Sequence, residues 1–315
     1  VRRGFALAFV CLVGGIAWAG DKLVIAHRGA SGYLPEHTLE AYALAHGLGA
    51  HYIEADLVMT KDGVLICLHD LWLEATTDAE EAFPGRKRAD GHWYAVDFTL
   101  AEIKALRVHE RTRGGGVPQY PGRFPVSWAK FEVPTLAEMI ELVQGLNKAT
   151  GREVGIYPEL KRPAWHAEQG LPMEQPLLAL LDRYGYTGAG AKAYIQSFEP
   201  DSLKKLRFEL GTKLPLVLLL SWEQPVTQDG LAQWATYVNG IGPDKRIVAA
   251  NPAVVRWAQD RGLSVHAWTF RQDALPMGYA TLEEELEQFL FVYGVDGVFS
   301  DFPDLAAAWL GRRPK

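Results

Sequence analysis

Four short clusters between residues 27 and 70 hold the residue types that chemistry needs: His27-Arg28-Gly29, Pro35-Glu36-His37-Thr38, Glu54-Ala55-Asp56 and His69-Asp70. Histidines titrate near neutral pH and can move protons. Closely spaced carboxylates can hold a hard divalent cation, and an arginine can grip a phosphate through its planar fork. Together they are the parts that metal-assisted cleavage of a phosphodiester requires. A segment that only filled a core would have no reason to collect them, because each buried charge must find a partner.

Spacing sharpens the reading. Glu54 and Asp56 are two apart in an apolar, strand-like run, so their side chains share one face. Both can reach one cation, with Glu159 at the end of a later strand as a third ligand. Hard oxygen ligands suit Ca2+, Mg2+ or a similar divalent cation better than zinc. The competing reading of E-x-D is a solvated strand face paired with Arg or Lys. His27 and His69, each following an apolar run, are the candidate acid–base pair. The other histidines, His37, His46, His51, His92, His109, His166 and His266, are expected to be structural or exposed. Arg28 and Lys161 are candidate phosphate ligands, and Lys161, two after Glu159, points the same way. For Arg28, salt bridges to Glu54 or Asp56 are the alternative. Glu36 is either a further ligand or an acid favoured at a helix N-terminus. Phe198 and Trp268 either wall a small polyol or pack in the core.

These residues need a scaffold that gathers strand ends. Strands are expected at 23–26, 52–58, 64–68, 154–157, 194–196, 214–220, 264–268 and 297–299, with a short one beginning at Ile241. Helices are expected at 39–48, 136–147, 175–184, 202–210, 252–260 and 282–293. Such alternation favours an α/β architecture, and about eight strands favour a closed TIM (β/α)8 barrel. His27, His69, Glu159, Ser197, Thr269 and Asp301 all fall at C-terminal strand ends, which in a barrel form one mouth. Thr60-Lys61-Asp62-Gly63 leaves no room for a helix. It is either a hairpin with a two-residue Asp-Gly turn, which places Asp56 near His69, or an unusually short link between barrel strands. Residues 71–133 break the rhythm with turn-rich, aromatic sequence, including Arg113-Gly114-Gly115-Gly116 and Tyr120-Pro121-Gly122. They read as a loop-rich insertion over the mouth, with one helix near 100–107.

The bulk properties limit the alternatives. With 48% hydrophobic and 22% charged residues, the chain can bury a sizeable core. Arg2 and Arg3, the apolar run 5–16 and Ala17-Trp18-Ala19 read as a cleaved signal peptide over residues 1–19, which sends residues 20–315 to the periplasm or outside the cell. No later stretch reaches the ~18 apolar residues of a membrane span, so no stable membrane insertion is expected. The net charge of −6 grows more acidic without the leader, which argues against nucleic acid or an anionic membrane as the main partner. Cys67 then remains as a single cysteine, expected to be a buried small hydrophobe.

In their order and spacing, H-R-G, P-E-H-T, E-x-D and H-D, followed by Glu159-Leu160-Lys161, Gln196-Ser197-Phe198, Trp268-Thr269 and the run from Gly294 to Asp304, resemble the glycerophosphodiester phosphodiesterases. The match extends from about Leu23 to Leu310, and the leader and the Tyr120–Pro125 loop are similar to exported bacterial members. The resemblance implies a TIM barrel that hydrolyses small glycerophosphodiesters, such as glycerophosphocholine, to sn-glycerol 3-phosphate and an alcohol. It implies Ca2+ as the usual metal on Glu54, Asp56 and Glu159, with His27 and His69 as the acid–base pair. Departures are small: His37 stands where many relatives carry Asn, and Thr269-Phe270-Arg271 varies a tail that often reads differently. A phospholipase of the same barrel type would need an apolar membrane-facing rim, and no basic amphipathic stretch supplies one. A binding protein without chemistry would show gaps in the residue set.

Overall fold

The computed structural model describes residues 22–312, so the expected signal peptide lies outside the described residues. Nine strands form: β1 Leu23–Ala26, β2 Tyr52–Met59, β3 Leu65–Cys67, β4 Gly155–Leu160, β5 Ile195–Ser197, β6 Leu216–Leu220, β7 Gly240–Pro243, β8 Ser264–Phe270 and β9 Gly297–Ser300. Eight of them close a ring in the order β1-β2-β4-β5-β6-β7-β8-β9, every pairing parallel, with β9 returning to β1. This is the expected (β/α)8 barrel. β3 stands outside the ring, antiparallel to β2.

Alternation along the strands separates two cores. Outward residues such as Ile53, Ala55, Leu57 and Ile156 pack with the surrounding helices. Inward residues Ile25, Tyr52, Tyr157, Val217 and Phe299 pack on one another inside the ring. Tyr157 stacks on Tyr194 at 4.8 Å and meets Phe299 edge-on at 5.2 Å, so an aromatic layer floors the mouth. Helix starts are set locally. The long helix Leu136–Thr150 and the short helix Leu100–Lys104 each begin in a reciprocal capping box, Thr135 with Glu138 and Thr99 with Glu102. Among the described residues, no helix is long and apolar enough to cross a membrane.

The link after β2 is a hairpin, with a one-residue correction to the expected register. Leu57 faces Cys67, Val58 faces Ile66 and Met59 faces Leu65. The loop takes three residues, Lys61-Asp62-Gly63, with Gly63 at φ +79° and Thr60 N donating to Val64 O at 3.0 Å. Leu68, not His69, is therefore opposite Asp56, its N donating to Asp56 O at 2.9 Å. Cys67 is buried, as expected.

The segment between β3 and the helix Leu136–Thr150 has its own small core. Val58, Ile66 and Leu68 of the hairpin pack there with Leu73, Trp93, Phe98, Ile103 and Val108. The helix expected near 100–107 ends early, at Lys104. Several short helices have too few turns to show a period in sequence, among them Ala79–Ala82, Pro163–Glu168, Gln228–Trp234 and Lys245–Ala250.

His166 in the helix Pro163–Glu168 is fully buried, and neither ring nitrogen has a hydrogen-bond partner. Burial alone lowers its pKa from 6.5 to about 4. The unfolded chain then binds the extra proton between these values, so His166 costs stability as pH falls from about 6.5 through 4. We predict that His166→Phe makes the unfolding free energy, measured in denaturant, less sensitive to acid over that window. The gain over wild type should approach on the order of 3 kcal/mol below pH 4. Equal pH slopes for the two proteins would contradict the buried neutral state.

Candidate active site

One step along the inward face from the aromatic floor, the side chains turn polar. Ile25 is followed two residues on by His27, Tyr52 by Glu54, Tyr157 by Glu159 and Phe299 by Asp301. A further step brings Asp56 on β2 and Lys161 just past β4. Parallel pairing of β2 with β4 sets Asp56 beside Glu159. The barrel thus brings residues from distant parts of the chain to one height. His27, Arg28, Glu54, Asp56, His69, Glu159, Lys161, Phe198 and Trp268 line a single cavity of about 330 Å³.

Glu54, Asp56 and Glu159 are almost wholly buried, and each offers an oxygen within 4.8 Å of the others. So dense a group cannot all ionise unaided. Burial, together with Asp56 and Glu159, raises Glu54 well above the ordinary carboxylate range. Glu159 rises to about 8 through burial, against the pull of Lys161, with Asp56 adding to the rise. Burial would raise Asp56 as well, but Lys161, His69, His37 and Arg28 hold it well below the usual value. The donors are all hard oxygens, crowded so closely that a divalent cation between them would relieve their repulsion.

Cationic side chains surround the trio. Arg28 sits at φ +59°, and its backbone N donates to Glu54 Oε2 at 2.6 Å. Its Nη1 donates to both oxygens of Glu36, at 3.0 and 3.1 Å, and its Nε lies 3.3 Å from Asp56 Oδ2. Lys161 Nζ lies 2.8 Å from Glu159 Oε1 and 3.6 Å from Asp56 Oδ1. Glu36 stands outside the carboxylate cluster and the cavity lining. Both its oxygens are spent on Arg28 and Arg111, so neither expected role, ligand or helix-end acid, describes its contacts. His37, expected to be structural or exposed, is buried between Asp56 Oδ2 and Tyr42 Oη, 2.9 Å from each.

The two histidines are held alike. His27 Nδ1 is 2.7 Å from Asp301 Oδ1, and His69 Nδ1 is 2.7 Å from Asp70 Oδ1. Each carboxylate favours the Nδ1–H tautomer and leaves Nε2 as the available base. Burial, then Arg28, lowers His27 to about 4; desolvation, Arg28 and Lys161 also lower His69, although its side chain is 31% exposed and solvent offsets part of that effect. Both rings are therefore neutral at pH 7. Asp301 is itself held by Arg123 Nη2 at 2.6 Å and Arg271 Nε at 2.8 Å.

Across the mouth, the cavity wall carries Phe198 and Trp268 in an edge-on pair, with ring centroids 5.7 Å apart. Trp268 Nε1 donates to Gly242 O at 2.7 Å, which fixes the indole. Asp244, Lys245, Arg246 and Arg271 complete that side. The sequence marked no role for Asp244, Lys245, Arg246, Arg111 or Arg123, and Asp70, Asp301 and Arg271 stood in its motifs without one. Asp70 and Asp301 had a signal, one beside His69 and the other at a strand end. Arg111 and Arg123 lie in turn-rich sequence that carries none.

The family model for the glycerophosphoryl diester phosphodiesterase family matches residues 27–305. The chain belongs to this family. It is 38% identical to a glycerophosphodiester phosphodiesterase of Haemophilus influenzae, covering 92% of this chain and 90% of that one. It is 34% identical to one from Treponema pallidum, covering 96% and 95%. The fold is similar to that of an Oleispira antarctica phosphodiesterase solved with the product sn-glycerol-3-phosphate, with TM-score 0.67, 23% identity, and coverage of 94% and 99%.

In this family member the turn that presents Arg28 depends on Gly29. Gly29 has φ +84°, and a Cβ there would lie 2.9 Å from the carbonyl carbon of Ala41 in the helix Leu39–Gly47. Gly29→Ala should cost about 1–3 kcal/mol of stability, read from denaturant midpoints. It should weaken phosphate binding as well, because Arg28 moves with the turn. A variant as stable and as tight-binding as wild type would show that the helix yields and the turn is not constrained.

Proposed function

We propose that the protein hydrolyses small glycerophosphodiesters, glycerophosphocholine among them, to sn-glycerol 3-phosphate and an alcohol, with His27 and His69 as the acid–base pair. The carrying observation is that two carboxylate-anchored histidines share one cavity with the Glu54–Asp56–Glu159 cluster and with Arg28 and Lys161. Glu54, Asp56 and Glu159 would hold the metal. Three carboxylates favour Ca2+ over Mg2+, which keeps more of its water and takes fewer protein oxygens. When bound, the cation supplies Lewis acidity to a phosphoryl oxygen.

The chain's own groups do the rest. Arg28 and Lys161 neutralise the other phosphate charge as it grows in the transition state. His27 accepts the nucleophile's proton at Nε2, and His69 gives one to the departing alcohol oxygen. His69, whose side chain is 31% exposed, takes a proton on Nε2 from solvent as the anionic substrate arrives and favours the charged ring, and the proton left on His27 returns to solvent after turnover. Water and the adjacent hydroxyl of the glycerol are both served by a base at His27; the hydroxyl gains from intramolecularity. Phe198 and Trp268 wall the small polyol, the glycerol of the substrate. The leader read at residues 1–19 supports an exported enzyme in the periplasm or beyond it.

Release of glycerol 3-phosphate from glycerophosphocholine tests the reading. Turnover should vanish with EDTA, return with Ca2+, and fall about 10²–10⁴-fold in His27→Ala and His69→Ala. Turnover indifferent to chelator and to His27→Ala would overturn both the metal and the acid–base assignments.

A further inference from the structure

The segment over the mouth reaches into the site with two buried arginines, and their contacts are arranged alike. Arg111 Nη1 donates to Asp70 Oδ2 at 2.6 Å, while Asp70 Oδ1 holds His69 Nδ1. Arg123 Nη2 donates to Asp301 Oδ2 at 2.6 Å, while Asp301 Oδ1 holds His27 Nδ1. In both cases one carboxylate oxygen faces the ring and the other faces an insertion guanidinium. An insertion guanidinium thus restrains each Asp rotamer, and so the direction of Nε2, with Arg271 just past the end of β8 sharing the task at Asp301.

Neither arginine is a loose surface group. Arg111 is 11% exposed and Arg123 4%. Arg123 lies over the Tyr120 ring at 3.8 Å, pairs with Asp273 at 2.8 Å and donates to Ser31 O at 3.1 Å. Arg111 also grips both oxygens of Glu36, at 2.6 and 2.9 Å, and Glu36 in turn holds Arg28.

We propose that the insertion is part of the catalytic apparatus, with Arg111 and Arg123 as positioning residues that aim His69 and His27 through Asp70 and Asp301. This rests on the diesterase reading above. The two arms are unequal. Among the described residues, Arg111 is the only guanidinium on Asp70, and it also sets Arg28 through Glu36. Arg123 shares Asp301 with Arg271. Losing Arg111 should therefore damage both turnover and phosphate binding, whereas losing Arg123 should damage turnover alone, and less.

The test measures kcat and KM on glycerophosphocholine for wild type, Arg111→Lys, Arg111→Ala and Arg123→Lys. Arg88→Ala is the control, since Arg88 pairs with Asp97 in the same insertion and touches neither histidine nor its aspartate. Arg111→Lys should lower kcat about 10–100-fold and raise KM, because an ammonium cannot span Glu36 and Asp70 together. Arg123→Lys should lower kcat by less, with KM unchanged, and Arg88→Ala should match wild type. Free guanidinium should restore part of the kcat of Arg111→Ala. Proton NMR adds a readout that general loosening would not move. The Nδ1–H resonance of His69 should shift in Arg111→Lys while that of His27 stays, and the reverse in Arg123→Lys. Wild-type kcat in both Lys variants, or losses without guanidinium rescue and with both resonances moving together, would overturn the proposal. An inactive wild type would instead count against the diesterase reading itself.

Discussion

Three carboxylates buried within 4.8 Å of one another are the constraint around which the mouth is arranged. Their mutual repulsion is unfavourable in a desolvated site, so the fold must supply positive charge or leave protons on them. It does both in part. Arg28 and Lys161 approach the trio closely, and Glu54 and Glu159 are pushed towards protonation while Asp56 stays ionised. A divalent cation would complete what two monovalent side chains begin, and free them for an anionic substrate.

The rest of the structure follows from holding those groups still. The aromatic layer of Tyr52, Tyr157, Tyr194 and Phe299 fills the barrel beneath the site and keeps the polar residues at its C-terminal end. Charges then run outward in alternation. Arg28 and Arg111 share Glu36, Arg111 meets Asp70, and Asp70 meets His69. On the other flank, Arg123 and Arg271 meet Asp301, which meets His27. Each ionised group within these chains lies beside an opposite charge and is at least partly buried, the condition under which ion pairs hold geometry rather than merely decorate a surface.

Much of this was legible in the sequence because period-two alternation records which face of a strand a residue takes. That rule placed Glu54 with Asp56 and Lys161 with Glu159, and strand–helix alternation gave the barrel. It failed where geometry is set by a turn or by long-range packing. The Asp62-Gly63 signal announced a hairpin, but the αL Gly63 closes a three-residue loop, which moves the register by one. His37, expected to be structural or exposed, is a buried structural histidine, but its contact with Asp56 spans nineteen residues and no local pattern shows it. Arg111 and Arg123 lie in turn-rich sequence whose packing depends on the hairpin's far face, so no local pattern marks them. Glu36 was noticed for its type, yet its role depends on Arg111, seventy-five residues on.

On this reading the buried carboxylate trio holds one divalent cation. Calorimetric titration of the chelator-stripped protein with Ca2+, in two buffers of different ionisation enthalpy, tests it most directly. The account predicts one saturable site per chain, with proton release as Glu54 and Glu159 ionise, and loss of that site in Glu54→Gln. Absence of saturable binding, or binding unchanged by Glu54→Gln, would contradict it.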